Sequence, residues 1–357
     1  MKTKLLGKTL DELKAIAVEA GLPAFTGKQI AEWLYVKKVR SFDAMTNISK
    51  AGREKLSSLY DLGVSEAIGV AESSDGTRKY LFPVSCSKAA GLDAYEQSRP
   101  EELETAAIEA VMIPDEDRRT LCVSSQSGCR MGCRFCMTGR QGFHGHLSAA
   151  DILSQFIMVD ECHSLTNAVF MGMGEPLDNY DNVMRAIEVL TADWGFGWSP
   201  KRITLSSIGV LPNLQRYLDN TRCHLAISLH DPFPEERREL MPVEKAWAVE
   251  DVIRLIRRYD FSGQRRVGFE YIMFSGLNDT KRHEDALIRL LRGLECRVNL
   301  IRFHKIPDFP YVSSPDLIME QFRDRLNAHG ITCTIRASRG EDILAACGML
   351  AGKHGKT

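Results

Sequence analysis

Three cysteines in G-C-R-M-G-C-R-F-C, at 128–136, are the residues whose types and spacing point most directly to chemistry. Cys129, Cys133 and Cys136 form a C-x3-C-x2-C array directly after a predicted strand. With ten cysteines in 357 residues, chance yields a triplet at these offsets on the order of once in a hundred such chains. Three thiolates on one short loop suit two kinds of metal centre. A structural zinc takes four protein ligands, so the zinc reading needs a fourth, which His144 or His146 would supply. Iron–sulfur clusters are also held by thiolates, and a four-iron cluster (4Fe-4S) with only three protein ligands keeps one iron open to a small molecule. A loop leaving the first strand of a βα barrel is where an open, reactive cluster is useful, whereas a structural knot can sit anywhere. Position therefore favours the cluster.

The elements that must carry this loop read as α/β. After Arg118 apolar strands alternate with amphipathic helices: RTLCVSS and a helix over 148–162; NAVFMGM and 181–190; RITLSS and 211–217; HLAISLH and 249–259; RVGFEYIMF and 281–291; RVNLIRF and 315–329; finally ITCTIR. Such alternation predicts parallel strands covered by helices, a partial (β/α)6 barrel with its chemistry at the C-terminal strand ends. Ahead of it, residues 1–60 read as a helical accessory domain. Thr9-Leu10-Asp11-Glu12 fits a capping box, Leu10, Leu13, Ile16, Ala17 and Ala20 make one stripe, and Gly21 stops the helix. A second helix is predicted over 27–39 with Lys28, Lys37, Lys38 and Arg40 outward, and a third starts near Ser49. Residues 61–117 form a small β extension, with a hairpin turn at Asp75-Gly76 and a strand over 107–113; 86–104 reads as a polar surface loop. Residues 118–357 are the core.

Composition sets the outer limits. Hydrophobic residues make up 44 % and charged residues 26 %, which excludes a disordered, collagenous or coiled-coil chain. No apolar run reaches the ~18 residues of a membrane span, and Lys2, Lys4, Lys8, Asp11 and Glu12 interrupt the stretch a signal peptide would need, so the chain reads as cytoplasmic. Its ten cysteines are then reduced thiols, metal ligands or catalytic groups rather than a disulfide scaffold. Residues 1–60 carry eleven Lys and Arg against six Asp and Glu, while the rest carries 35 against 41. A basic N-terminal module suits a polyanion. The arginine pairs at 237–238, 257–258 and 265–266 are candidate phosphate contacts, although Arg257 and Arg258 lie on the wet face of a helix.

These motifs resemble the radical S-adenosylmethionine superfamily and, within it, the RlmN/Cfr family of RNA methyltransferases. The resemblance rests on S-S-Q-S-G-C at 124–129, T-G-R-Q-G-F at 138–143, F-M-G-M-G-E-P-L at 170–177, S-S-I-G-V-L-P at 206–212, I-S-L-H at 227–230, V-N-L-I-R at 298–302 and R-G-E-D-I-L-A-A-C-G at 339–348. It implies a 4Fe-4S cluster on Cys129, Cys133 and Cys136, with S-adenosylmethionine chelated at the open iron. Gly174, Glu175, Ser206, Ser228, Leu229, His230 and Asn299 match its cofactor-binding positions. Cys122 and Cys347 match the two non-ligand cysteines of the mechanism, and Glu109 matches the catalytic base. Taken alone, Cys122 between Leu121 and Val123 reads as a core thiol, and Glu109 as the solvent-facing residue of an alternating strand. Cys86, Cys162, Cys223, Cys296 and Cys333 match nothing and read as packing residues.

The implied reaction follows from the inertness of an adenine C–H carbon. A thiolate such as Cys347 takes a methyl group by direct displacement, but C2 and C8 of adenine have no lone pair to attack with, so a radical route is needed. In the family a second S-adenosylmethionine gives a deoxyadenosyl radical that abstracts hydrogen from the S-methyl of Cys347. The methylene radical adds to adenine, Glu109 removes the proton, and Cys122 attacks sulfur to release RNA with a Cys122–Cys347 disulfide. The implied partners are 23S rRNA and tRNA, with an electron donor such as flavodoxin; the chain is expected to act as a monomer without a membrane partner. T-G-R-Q-G-F leans toward the RlmN branch and C2 methylation, while M-P-V at 241–243 and L-I-R-F-H at 300–304 are similar to Cfr, which methylates C8 and confers antibiotic resistance. The segment 86–104 is longer than the hairpin usual in the family. A reading of another class is a zinc-stabilised, non-catalytic RNA-binding protein.

Overall fold

The computed structural model describes residues 2–92, 94–98, 102–263 and 265–351. A two-residue strand, β1 (Thr3–Lys4), opens the chain. Helix α1 (Leu10–Glu19) follows, with the capping box formed in both directions between Thr9 and Glu12. Leu13, Ile16, Ala17 and Ala20 are buried, as the stripe requires. The helix predicted over 27–39 is shorter and irregular: α2 (Thr26–Ala31) passes into a π-helical turn at Glu32–Val36, and Lys38 adopts a left-handed φ of 53° that ends it. Gly27 lies where α1 and α2 cross, since a Cβ there would come 2.5 Å from the Lys14 backbone. Helix α3 (Lys50–Leu59) starts at Ser49, whose hydroxyl accepts from the Gly52 N–H, and β2 (Tyr60–Asp61) pairs with β1.

The expected outward set of cations is divided. Lys38 donates to the Cys162 carbonyl and lies 4.9 Å from the Phe196 ring centroid, and Arg40 donates to the Ile157 carbonyl. These two fasten the N-terminal helices to the core, whereas Lys28 and Lys37 are exposed.

Strands β3 (Gly69–Glu72) and β4 (Arg78–Cys86) form the hairpin around Asp75-Gly76, where Gly76 has φ +81°. The segment 86–104, expected as a loop, contains a bridge from Ser87 to His146 and a short helix α4 (Ala94–Gln97); its residues 93 and 99–101 lie outside the described residues. Next come β5 (Glu104–Asp115) and β6 (Arg118–Cys122). The cysteine loop is framed by β7 (Gln126–Gly128), a turn of helix α5 (Met137–Arg140) and β8 (Phe143–His146). This small antiparallel hairpin, β7 with β8, has no alternating apolar pattern that could have announced it.

The βα units then run α6 (Ala149–Met158), β9 (Asn167–Phe170), α7 (Tyr180–Thr191), β10 (Ile203–Ser207), α8 (Leu211–Asn220), β11 (His224–Ser228), α9 (Pro234–Leu240), α10 (Val249–Ile256), β12 (Val267–Met273), α11 (Lys281–Leu291), β13 (Arg297–Arg302), α12 (Asp316–Ala328) and β14 (Thr332–Ile335). One ten-stranded sheet has the order β14-β13-β12-β11-β10-β9-β6-β5-β4-β3. From β6 to β14 every ladder is parallel; β5, β4 and β3 extend it antiparallel. Six strand-helix units and a closing strand thus make the open, partial barrel, and its C-terminal edge faces the cysteine loop. No helix among the described residues is long and apolar enough to cross a membrane.

Two arginines of the expected phosphate set are interior. Arg265 is buried and donates to the Leu218 carbonyl. Arg237, on α9, is fully buried against Glu244, and its guanidinium also donates to the carbonyls of Ser228 and Leu229. The guanidinium therefore fixes the backbone that leaves β11. Removing one member of such a pair strands the other as an uncompensated buried charge. Arg237→Met should lower the unfolding free energy by about 3–5 kcal/mol, read as a shift of the urea midpoint; a loss under about 1 kcal/mol would show that the pair holds nothing together.

Candidate active site

The cysteine loop is closed by its own backbone. The Cys129 N–H donates to the Gly142 carbonyl and Cys136 N–H to that of Cys133. Gly128, at φ +69°, admits no side chain, because a Cβ would sit 1.9 Å from the Gly142 oxygen. Burial pushes the Cys133 thiol up to about 12 and those of Cys129 and Cys136 above the usual range; N–H groups of Met131, Thr138 and Gly139, and the charge of Arg237, oppose this. These thiols shed their protons when they take up metal.

Their spacing discriminates between the two metal readings. Ligands sharing one tetrahedral zinc at ~2.3 Å lie about 3.8 Å apart. Among the described residues only Asp231, Glu236 and His283 gather three ligand atoms within 4.8 Å of one another; the cysteine sulfurs do not. The candidate fourth ligands are engaged elsewhere, His144 Nδ1 with Glu104 at 2.6 Å and His146 with Gln126 and Arg130. Three half-buried thiols set more widely around one cavity fit a cluster in which each binds a different iron.

That cavity opens at the C-terminal ends of the parallel strands and is lined by the three cysteines together with Gly174, Glu175, Ser206, Ser228 and His230. Gly174, at φ +97°, lies so close to Gln126 that a Cβ would be 2.5 Å from its side chain. The Glu175 carboxylate receives the N–H groups of Leu177 and Ile208, joining the loops after β9 and β10; burial pushes it up to about 7. His230 has a left-handed φ of 58° and meets the Phe135 ring edge at 5.0 Å.

Leu229 and Asn299, also expected here, do not line the cavity. Leu229 is fully buried. Asn299 stands one strand removed, donating to Glu270 Oε1 at 2.8 Å and accepting from the Thr334 hydroxyl. Ser228, Glu270, Asn299 and Thr334 are register partners across β11, β12, β13 and β14, so they form one polar row. Glu270 and Arg336 line the cavity without having been anticipated. Glu270 had a signal, a lone carboxylate within the apolar run RVGFEYIMF; Arg336, just past the last strand, had none.

Cys347 lies where two cavities meet. It lines the cavity just described and a second one, bounded by Arg118, Thr120, Val169, Arg336 and Arg339. Its segment is held by hydrogen bonds from Met137 N–H to the Gly348 carbonyl, Thr138 to Leu350 and Gln141 to Ala351. Cys347 is exposed and Cys122 is buried at the end of β6; both sit near Arg336, whose charge is favoured by Cys347 and then by Glu270 and Cys122. Burial pushes Cys122 up to about 12. All ten thiols are free. Glu109 corrects the surface-strand expectation. It is 2 % exposed, its carboxylate paired with Lys79 at 3.0 Å and accepting the Ala351 N–H at 2.7 Å, and it lines neither cavity.

A partial βα barrel with three open-facing cysteines after its first strand defines a radical S-adenosylmethionine enzyme, and residues 123–287 match the model of the Radical SAM superfamily. Residues 3–62 match the Ribosomal RNA large subunit methyltransferase N-terminal domain. The chain belongs to the RlmN family of radical SAM RNA methyltransferases. It is 57 % identical to a probable dual-specificity RNA methyltransferase RlmN of Porphyromonas gingivalis, covering 98 % of this chain and 94 % of that one. It is 39 % identical to the dual-specificity RNA methyltransferase RlmN of Syntrophus aciditrophicus over 97 % and 95 % of the two chains. A crystal structure of a radical SAM methyltransferase from Sphaerobacter thermophilus superposes with a TM-score of 0.88 at 35 % identity, covering 98 % of this chain and 100 % of that one. The relatives bear the RlmN name rather than Cfr, and the non-catalytic zinc protein is set aside.

The geometry of His230 carries a pH signature. Its Nδ1 accepts the Ile272 N–H at 3.1 Å, which requires the neutral ring, and burial, then Arg237, push its pKa from 6.5 down to about 3. Between these values the unfolded chain holds more protons than the native one. This contribution to stability is complete above pH 6.5 and is lost as pH falls toward about 3, at about 1.4 kcal/mol per pH unit. His230→Gln should flatten that part of the urea-unfolding profile; an unchanged slope would show that the ring is already protonated.

Proposed function

We propose that this enzyme methylates C2 of adenosine in 23S rRNA and in tRNA by way of a methylated Cys347. The observation that carries the reading is the position of Cys347, which borders the cysteine-lined cavity on one side and the Arg118, Arg336 and Arg339 cavity on the other. Cys129, Cys133 and Cys136 would hold the 4Fe-4S cluster, and Gly174, Glu175, Ser206, Ser228 and His230 would line the S-adenosylmethionine site, with Leu229 and Asn299 supporting it from behind. Bound together, cluster and S-adenosylmethionine supply both an electrophilic methyl group and a carbon radical able to remove a hydrogen atom from an S-methyl group.

The chain's residues then divide the work. Cys347, as thiolate, accepts the methyl group and carries the one-carbon unit to adenine. The second cavity supplies the space for a base unstacked from its RNA, at a cost of a few kcal/mol that an unpaired nucleotide reduces, with Arg118 and Arg339 at its edge to meet phosphate. Glu109, held against the segment four residues beyond Cys347 by the Ala351 N–H, takes the proton from the reacting carbon once that segment shifts. Once the radical adduct has given up one electron and its proton, Cys122 attacks the Cys347 sulfur. The S–S bond forms as the C–S bond to the RNA breaks, the electron pair leaves with carbon, and that carbon takes up a proton to become the methyl group. The buried Cys122 thiol must first lose a proton, and Arg336 favours the anion. The exposed Lys28, Lys50 and Lys55 of the N-terminal helices provide salt-dependent grip on the RNA backbone. The work belongs to the cytoplasm, with a flavodoxin-like donor supplying electrons and a single chain forming the complete site.

The test is anaerobic reconstitution with iron and sulfide, incubation with defined rRNA and tRNA fragments, and mass spectrometry of the digests. The expected product is 2-methyladenosine, while 8-methyladenosine or unmodified RNA would overturn the reading. Replacing any of Cys129, Cys133 or Cys136 by Ala should abolish the brown colour and the activity together. Cys347→Ala should yield no methylated protein, and Cys122→Ala should trap a protein–RNA crosslink, whereas normal turnover by Cys122→Ala would remove its assigned part.

A further inference from the structure

Outside the cysteine cavity, one side-chain cluster has the composition of a metal site. Asp231 follows His230 in the loop after β11, Glu236 is on α9 and His283 is in the first turn of α11. One ligand atom from each lies within 4.8 Å of the others. His283 Nε2 is 2.8 Å from Glu236 Oε2 and 3.8 Å from Asp231 Oδ2. Ligands bound at ~2.0–2.2 Å around a tetrahedral ion are about 3.4 Å apart, so the observed separations bracket that value and small side-chain shifts would complete the shell.

Each remaining atom of the cluster is already used, and in a way that aims the free one inward. His283 Nδ1 is 2.7 Å from the Thr280 hydroxyl. That bond fixes the ring. Nε2 here donates to Glu236 Oε2; on taking a metal the ring would move its proton to Nδ1, which then donates to the Thr280 hydroxyl, the outer-sphere arrangement usual for a histidine ligand. Asp231 Oδ1 accepts the Phe233 N–H at 2.8 Å, and Glu236 Oε1 is held by Arg282. What remains is Asp231 Oδ2. It is fully buried, on a side chain with no exposed surface, and has no hydrogen-bond partner. A buried carboxylate oxygen left without a donor keeps its desolvation penalty uncompensated, and a cation shared with Glu236 and His283 removes that penalty. The Glu236 side chain is 30 % exposed, which opens an entry path and a position for water.

We propose that Asp231, Glu236 and His283 bind a divalent first-row metal ion of the Mn2+ or Zn2+ class. One imidazole with two carboxylates suits these ions, whereas the thiols of this chain select softer partners. The ion ties the loop after β11, which carries His230, to α11 behind the wall of the cysteine-lined cavity. It takes no part in methyl transfer, so the inference stands independently of the RNA reading.

The experiment uses the cluster-reconstituted enzyme, stripped of loosely bound metal on a chelating resin and titrated anaerobically with Mn2+, the free ion being followed by its six-line electron paramagnetic resonance signal. Mn2+ is the probe because it has little affinity for thiols. The expected result is one Mn2+ per chain, displaced by Zn2+ and weakened at least tenfold in both Asp231→Asn and His283→Gln. Glu235→Gln, one residue from Glu236 on α9, should bind as wild type does. Circular dichroism and the colour of the cluster identify folded variants, and Asp231→Asn, being isosteric, keeps the packing. Failure of the wild-type enzyme to hold Mn2+, or binding by both variants equal to that of the wild type, would overturn the site and leave the cluster as a hydrogen-bonded His283–Glu236 pair.

Discussion

Residues 348–351 run back against the helix that leaves the cysteine loop, held there by the Met137 N–H, the Thr138 hydroxyl and the Gln141 amide. This strap is the constraint on which the site depends. Cys347 belongs to no helix or strand, so nothing local aims it; its position is set by a hydroxyl 212 residues from its carbonyl partner and by the Met137 and Gln141 amides beside it. The same strap gives its Ala351 N–H to Glu109 and so joins the antiparallel extension of the sheet to the cysteine loop. Three parts that are distant in sequence therefore share one short segment.

Behind the strap, the open edge of a parallel sheet poses a problem of polar groups. Strand ends leave backbone N–H and C=O groups without ladder partners, and a partly enclosed cavity keeps them from bulk water. The chain answers with side chains. Glu175 takes the amides of two successive loops, Arg237 takes the two carbonyls of the Ser228-Leu229 turn, and Asn278 takes the His230 and Ile272 carbonyls. These residues hold the cavity wall in one shape before anything binds, which lowers the ordering cost of binding. The Ser228, Glu270, Asn299 and Thr334 row carries the same logic across four strands.

Part of this was readable in the residues themselves. The alternation of strands and helices, the capping box at Thr9 and the hairpin at Asp75-Gly76 are set by spacing along the chain, and each formed where the spacing placed it. The helix over 27–39 broke because close packing of α1 on α2 and the left-handed Lys38 overrode helical periodicity. Lys38, Arg40, Arg237 and Arg265 could equally have met RNA or protein; a charge in a sequence does not say which side of the surface it ends on. Glu109 alternates with apolar neighbours as an exposed residue would, yet β4 and the C-terminal strap cover it. The trio at Asp231, Glu236 and His283 had no motif, since its members come from a loop and two helices that meet only in space.

The sequence by itself determined the βα order and the three-cysteine loop, because backbone propensity, apolar period and ligand spacing act over a few residues and are written directly in the chain. Only the tertiary structure decided the separation of the three sulfurs, the meeting of Cys347 with Arg336 and Cys122, the second rank of Asn299, and which charges are buried. Those depend on long-range packing and desolvation, which become defined when segments hundreds of residues apart exclude the same water.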